Sequence, residues 1–437
     1  MSKHHQILII GGGTAGIMVA AQLLKKNPKA DIGLFEPAKT HYYQPAWTLV
    51  GANTYDYEKT GRSMASVMPS GVNWIKEYVS NLDPDNNKVT TKDSNEFTYD
   101  YLVVAPGLRM APELVKGLPE AMDKGVVCSN YTDPKHTWEV LKNFKGGTAL
   151  FTQPTTPIKC GGAPQKIMYL AEDHFKKSGV RSKTNVVFAT AGTVIFGVKP
   201  IAKTLMEVID RKDINIRFHH KLVEVDGEKQ IAWYELAKDI TAGGCVVMSG
   251  ENEGKTLDDS IQYNYKKVDT VEEGGRYGIK FDMMHLAPPQ ASPKFVAASP
   301  LANEGGWVSV SDKTLQHTKY ANVFGLGDVA QLPTAKTGAA IRKQVPVVVG
   351  NILQLINNNA LASKEYDGYS SCPIVTGYGK MVLAEFTYGS VFAPDPKLKQ
   401  FPLMIGDSSV EHWRLWILKK YLLPYLYWNK MMKGVEV

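Results

Sequence analysis

Residues 6–16 read QILIIGGGTAG, and the ten that follow read IMVAAQLLKK. The first five, apolar after Gln6, form a run of strand length, as expected of a strand buried on both faces of a parallel sheet. Gly11, Gly13 and Gly16 then occupy the G-x-G-x-x-G positions, and the next stretch has the apolar face of a helix. Gly11 allows the tight turn, Gly13 lets the backbone approach a pyrophosphate, and Gly16 lets helix and strand pack closely. The pyrophosphate would sit on the helix N-terminus, where free N–H groups and the dipole favour negative charge. The next strand, DIGLFEP at 31–37, carries Glu36 at its end, placed to take ribose hydroxyls. A glycine loop alone is a weak signal. Here strand, helix and acid surround it, and together they predict a dinucleotide-binding unit.

Further along lie YDYLVVAPG at 99–107 and TKYANVFGLGD at 318–328. Both resemble the later fingerprints of the two-dinucleotide-binding-domain flavoproteins. In that superfamily the acid of the Gly-Asp pair contacts the ribityl chain or pyrophosphate of FAD, which places Asp328 in that role. The segment TGAAIRKQ at 337–344 would begin a helix pointing its N-terminus, near Gly338 and Ala339, at the flavin ring. Three fingerprints in order point to FAD rather than NAD at the first site.

A second glycine loop, for a nicotinamide cofactor, is expected after a strand near residue 150. The strand is present, GTALFT at 147–152, but QPTTPIKCGGAPQK follows and contains no G-x-G-x-x-G. Cys160 stands in its place, just ahead of a helix pattern, PQKIMYLAEDHF. A thiol near a helix N-terminus has its thiolate stabilised. Most lone cysteines are small buried apolar residues, so the second one matters. Cys372, in YSSCPIVTGYGKMVLAEF at 369–386, lies where the chain returns toward the flavin, so both thiols can reach one face of the ring.

The remaining composition narrows the class. A chain of 437 residues exceeds what one core supports. Its charge is +7, from 50 basic and 43 acidic residues, which suits an anionic surface or small anion as well as a mildly basic exterior. Nucleic acid is not an expected partner, since no Lys/Arg-dense helix or zinc-finger spacing occurs. The four cysteines, Cys128, Cys160, Cys245 and Cys372, form neither a disulfide framework nor a metal spacing. No targeting segment is expected ahead of the first strand, and His4 and His5 read as solvated N-terminal residues. No run reaches the roughly 20 apolar residues of a membrane span.

Taken together, the stretches GGGTAG, HYYQPAWTLVG, TPIKCGGAPQKIMYLAE, GLGDVAQLPTAKTGAA, YSSCPIVTGYGKMVLAEF and PYLYWNKMMKG resemble the sulfide:quinone oxidoreductases, in particular the mitochondrial type. The resemblance spans nearly the whole chain, and the two cysteine segments are its specific part. It implies an α/β fold of two Rossmann-like, glutathione-reductase-like domains plus a C-terminal amphipathic membrane-attachment region. The FAD-binding domain would comprise 1–108 and 300–360, the second domain 109–299, and the C-terminal region 361–437. It implies a redox bridge between Cys160 and Cys372, a disulfide or one with extra sulfur. Sulfide would attack on the Cys372 side and leave a persulfide there. Electrons would pass through FAD to a membrane quinone, with ubiquinone expected, and the sulfane sulfur to an acceptor such as glutathione or sulfite. Flavin contacts carry over to Thr14, Ala15, Glu36, Gln44, Val79, Lys166, Asp328 and Gly338. Location at the mitochondrial inner membrane, peripheral or monotopic, is implied likewise.

Residues 241–276 are longer and more polar than the family pattern and read as a surface insertion carrying Cys245; Cys128 reads as structural. Lys166 reads either as a charge near flavin and thiolate or as an exposed helix lysine. Residues 411–434, EHWRLWILKKYLLPYLYWNKMMKG, mix aromatics with basic residues around Pro424. They suggest two short amphipathic helices in a membrane interface, with packing on the core or on another subunit as the alternative. An NADH:quinone oxidoreductase would require the missing second glycine loop. A flavocytochrome-type sulfide dehydrogenase would pass electrons to a haem partner, and a non-catalytic redox flavoprotein would not need the two cysteines to meet.

Overall fold

A computed structural model describes residues 3–237, 240–242, 246–248, 262–263, 267–274, 276–358, 362–400 and 403–436. The opening motif folds as strand β1 (Lys3–Ile10), helix α1 (Thr14–Lys26) and strand β2 (Ile32–Phe35). β1 runs parallel to β2 on one side and to β3 (Glu96–Val104) on the other, with Ile10 level with both Phe35 and Val104. Val323–Gly325 adds a further parallel strand beside β3, and the antiparallel strands Lys88–Thr91 and Val79–Asp83 complete that flank. The glycine loop therefore leaves the sheet between the ends of two neighbouring strands, as a nucleotide site in an open α/β sheet requires.

β1 begins three residues earlier than the apolar run suggests. Lys3 pairs with Phe97, and the strand's alternation turns His5 inward. His5 is buried, with Nδ1 2.9 Å from Asp31 Oδ1, so it is not the solvated terminal residue expected from its position. Helix Gly338–Asn358 packs beside α1.

The second Rossmann-like unit centres on β4 (Gly147–Gln153), flanked by the parallel strands Thr184–Thr190 and Met283–Leu286. Helix α2 (Ala163–Lys177) follows β4 and lies against the hairpin of Ser370–Gly377 and Lys380–Thr387. Cys128 is fully buried in the short strand Val127–Cys128, its S–H donating to the Met284 carbonyl, and burial pushes its thiol pKa up. Cys245 and most of the polar stretch at 241–276 lie outside the described residues.

The C-terminal segment is one continuous helix rather than two broken at Pro424. Trp413–Ile417 is α-helical, Leu418–Leu422 forms a π turn, and Leu423–Asn429 resumes the α-helix. The wide turn comes just ahead of Pro424, whose missing N–H and bulky ring a regular helix would not accommodate. The inner face of this helix joins two cores. Leu415, Trp416 and Leu418 belong to that of the second domain, and Tyr427 and Trp428 to that around β1. Its outer face leaves Trp413, Ile417, Tyr421, Leu422 and Tyr425 exposed. No helix among the described residues is long and apolar enough to cross a membrane.

Candidate active site

The glycine loop has the shape a pyrophosphate needs. Gly11 adopts φ +99°, and a Cβ there would lie 2.5 Å from the Ala105 carbonyl oxygen. A Cβ on Gly16 would collide with the Gly11 carbonyl, whereas one on Gly13 meets nothing within 4 Å. Gly13 caps α1 without a side-chain hydrogen bond, and the first turn carries no acid. The N–H groups of Thr14, Ala15 and Gly16, in the first turn, have no acceptor within the helix. Glu36 accepts from Gly12 N at 2.9 Å and Ala38 N at 2.8 Å, while burial raises its pKa. Asp328 lies in the turn Gly327–Val329, and Gly338 opens its helix with nothing within 4 Å of an added Cβ. This cradle fits a dinucleotide such as FAD. Val79 is buried at the start of its strand, and Gln44 is exposed in the turn Gln44–Ala46.

The loop after β4 brings its cysteine to the other expected thiol. Cys160 Sγ and Cys372 Sγ are 3.5 Å apart, although 212 positions separate them in the chain. Both are free thiols, Cys372 buried and Cys160 half-buried. Cys160 has φ +55°, a strained conformation for a side-chain-bearing residue, costing about 1–3 kcal/mol. Surrounding bonds hold it there. Its N–H donates to the Lys336 carbonyl at 2.8 Å, and the Tyr131 hydroxyl lies 3.3 Å from its own carbonyl. Gly162 permits the approach, since a Cβ there would stand 2.8 Å from Cys372 Sγ.

Charge makes the two sulfurs unequal. Lys166 is buried, and its Nζ donates to Cys160 Sγ at 2.9 Å, which rules out an exposed helix lysine. The Cys372 S–H and the Lys166 ammonium hold the Cys160 pKa well below the usual thiol value, against the opposing effect of burial. The contact with Cys160 and burial drive the Cys372 pKa well above it. Of the two sulfurs, Cys160 is therefore the one whose thiolate the surroundings stabilise.

Three further lysines belong to the same region, and Lys419 acts on both sulfurs. Lys159 donates to Gln44 Oε1, and burial lowers its pKa. Lys336 donates to the carbonyls of Asp328 and Ala330 at 2.7 and 2.9 Å, with its pKa pushed down to about 8 by burial. Lys419 reaches in from the C-terminal helix to the Pro45 carbonyl at 3.2 Å. Burial, then repulsion from Lys166, lowers its pKa to about 7. Asp328, its pKa raised by burial, opposes Lys159 and Lys336. Such a site favours anions.

The same C-terminal helix touches the glycine loop. The Tyr427 hydroxyl lies 2.7 Å from Thr14 Oγ1 and 2.6 Å from His41 Nε2. His41 is buried, which lowers its pKa to about 4, and its Nδ1 faces the Gly12 carbonyl at 3.3 Å. The neutral imidazole therefore donates from Nδ1 to Gly12 and accepts from Tyr427 at Nε2. Lys159, Lys336, His41 and Tyr427 were not among the residues singled out by sequence, and Lys419, expected among the basic residues that meet lipid headgroups, is instead buried because its side chain turns inward to the Pro45 carbonyl. The basic, aromatic C-terminus was noted, but nothing in its spacing said which residue turns inward.

Two Rossmann-like units together with a close pair of thiols define a flavin-dependent disulfide oxidoreductase. Residues 5–142 match the family described as pyridine nucleotide-disulphide oxidoreductase. The mitochondrial sulfide:quinone oxidoreductase of Mus musculus is 40% identical over 99% of this chain and 87% of its own length. The one from Dictyostelium discoideum is also 40% identical, over 98% of this chain and 86% of its own. The crystal structure of the sulfide:quinone oxidoreductase from Aquifex aeolicus superposes with a TM-score of 0.73 at 20% identity, covering 99% of this chain and 92% of that one. The chain belongs to the sulfide:quinone oxidoreductase family.

Proposed function

We propose that this protein oxidises sulfide at the Cys160–Cys372 pair and passes the electrons through FAD to a quinone. The observation that carries this reading is the sulfur pair itself, 3.5 Å apart with Lys166 Nζ 2.9 Å from Cys160 Sγ. In the oxidised pair, hydrosulfide attacks Cys372 Sγ, forming a persulfide there and expelling the Cys160 thiolate. The direction follows from the charges, because the sulfur with the lower thiol pKa is the better leaving group. Lys166 neutralises the thiolate as it forms. A small acceptor, such as glutathione or sulfite, then removes the outer sulfur from Cys372. As the two cysteines re-form their bridge, two electrons leave them. Bound FAD would accept that pair and hand it to a quinone.

For FAD, Gly11, Gly13, Thr14, Ala15 and Gly16 would hold the pyrophosphate and Glu36 the ribose. Asp328, Gln44, Val79, Lys166 and the helix start at Gly338 and Ala339 would line the remainder. The exposed aromatic face of the C-terminal helix supports attachment to a membrane, the mitochondrial inner membrane if this chain follows its relatives' names, with ubiquinone as the oxidant. The test mixes purified protein with sulfide and a short-chain quinone, following flavin absorbance, alongside Cys160→Ser and Cys372→Ser. We expect sulfide to bleach the flavin only when both thiols are present. Bleaching by NADH but not by sulfide would overturn the reading.

A further inference from the structure

Away from the sulfur pair, a cavity of about 670 Å³ opens between the C-terminal helix and the segment of residues 54–62. It shares no lining residue with the thiol site. Three cations line it, Lys59, Arg62 and Lys420, and among the described residues none has an ion-pair partner. Arg62 stacks its guanidinium 4.4 Å from the Trp428 ring centroid, which fixes its position. The single acid on the wall, Asp56, already accepts from the backbone N–H of Glu58 at 3.0 Å. The wall thus carries net positive charge in a space large enough for a small ligand.

The rim is different in character. Tyr421 and Tyr425 line the cavity and are more than half exposed. They continue a four-residue spacing from Trp413 and Ile417, so an apolar stripe runs along the helix and ends at the cationic cavity. An aromatic stripe beside a basic recess matches the boundary between acyl chains and headgroups.

We infer that this cavity binds the phosphate headgroup of an anionic phospholipid, with the stripe lying along the acyl region. The inference rests on the membrane attachment proposed above and gives it a specific lipid contact. A neutral quinone would gain little from three cations. A free phosphate ion would leave the adjoining apolar stripe uncovered.

The test measures co-sedimentation of the flavin-loaded full chain with vesicles of phosphatidylcholine, with and without phosphatidylglycerol. The double variant Lys59→Glu/Lys420→Glu is compared with Lys430→Glu, an exposed lysine of the same region outside the cavity, and flavin absorbance checks integrity. Wild type is expected to prefer the anionic vesicles by about ten-fold or more. The double variant should lose that preference and Lys430→Glu should keep most of it. Equal losses in both variants would mean diffuse attraction and overturn the site. Equal binding of wild type to both vesicles would overturn the headgroup site while leaving membrane attachment standing, and binding to neither would remove both. If the double variant binds vesicles normally but shows a raised KM for quinone, the cavity is a quinone entrance and the inference fails.

Discussion

At the residue scale, the site depends on lysines whose charge is set by burial and by the groups they face. Lys166 stabilises the Cys160 thiolate directly, so Lys166→Met should raise the thiol pKa. At neutral pH, alkylation of Cys160 in the reduced protein should slow about ten-fold or more, each pKa unit being a factor of ten. Rates of iodoacetamide labelling across pH check this without using sulfide, which itself titrates. An unchanged profile would take the thiolate's stabilisation away from Lys166.

Lys419 gives a stability prediction with a definite sign. Its folded-state pKa, about 7, lies below the ordinary lysine value. As pH falls from about 10 toward 7, the unfolded chain takes up the proton first, so folding weakens. Below about 7 the folded protein is protonated too, and the loss levels off. Thermal melts of wild type against Lys419→Met should therefore diverge progressively between pH 10 and 7, the variant becoming relatively more stable. A constant difference over that range would show that Lys419 does not titrate as described.

At the element scale, the C-terminal helix packs against the glycine loop. Tyr427 bonds both Thr14, in the first turn of α1, and His41. Tyr427→Phe removes both bonds and leaves His41 Nε2 buried without a donor, a cost of about 1–3 kcal/mol. We expect the variant to fold and keep its thiol chemistry but to release flavin several-fold more readily, measured as the rise in flavin fluorescence on dilution. Retention equal to wild type would mean the contact does not bear on the cradle.

At the scale of the whole molecule, much of the plan could be read from short contiguous signals. The glycine loop with Glu36, the two later fingerprints and the two cysteine segments are each carried by one contiguous stretch, because turns and helix starts are local. The lysine ring was hidden for the opposite reason. Lys159, Lys336 and Lys419 come from three distant segments, and each alone looks like any surface lysine until the fold buries it. His5 was misjudged because strand pairing extended beyond the apolar run. The helix through Pro424 was misjudged because a π turn absorbed what a proline usually interrupts.

One helix thus faces three settings at once. Turned inward, Lys419 stands by the sulfurs and Tyr427 by the glycine loop; turned outward, Trp413, Ile417, Tyr421 and Leu422 meet whatever surrounds the protein. Selection can act on these faces separately, because neighbouring positions on a helix point in different directions. As descendants of this chain move between membranes of different composition, the outward positions are free to drift among apolar and aromatic side chains. The inward ones, a step or two away in the same segment, should stay nearly fixed.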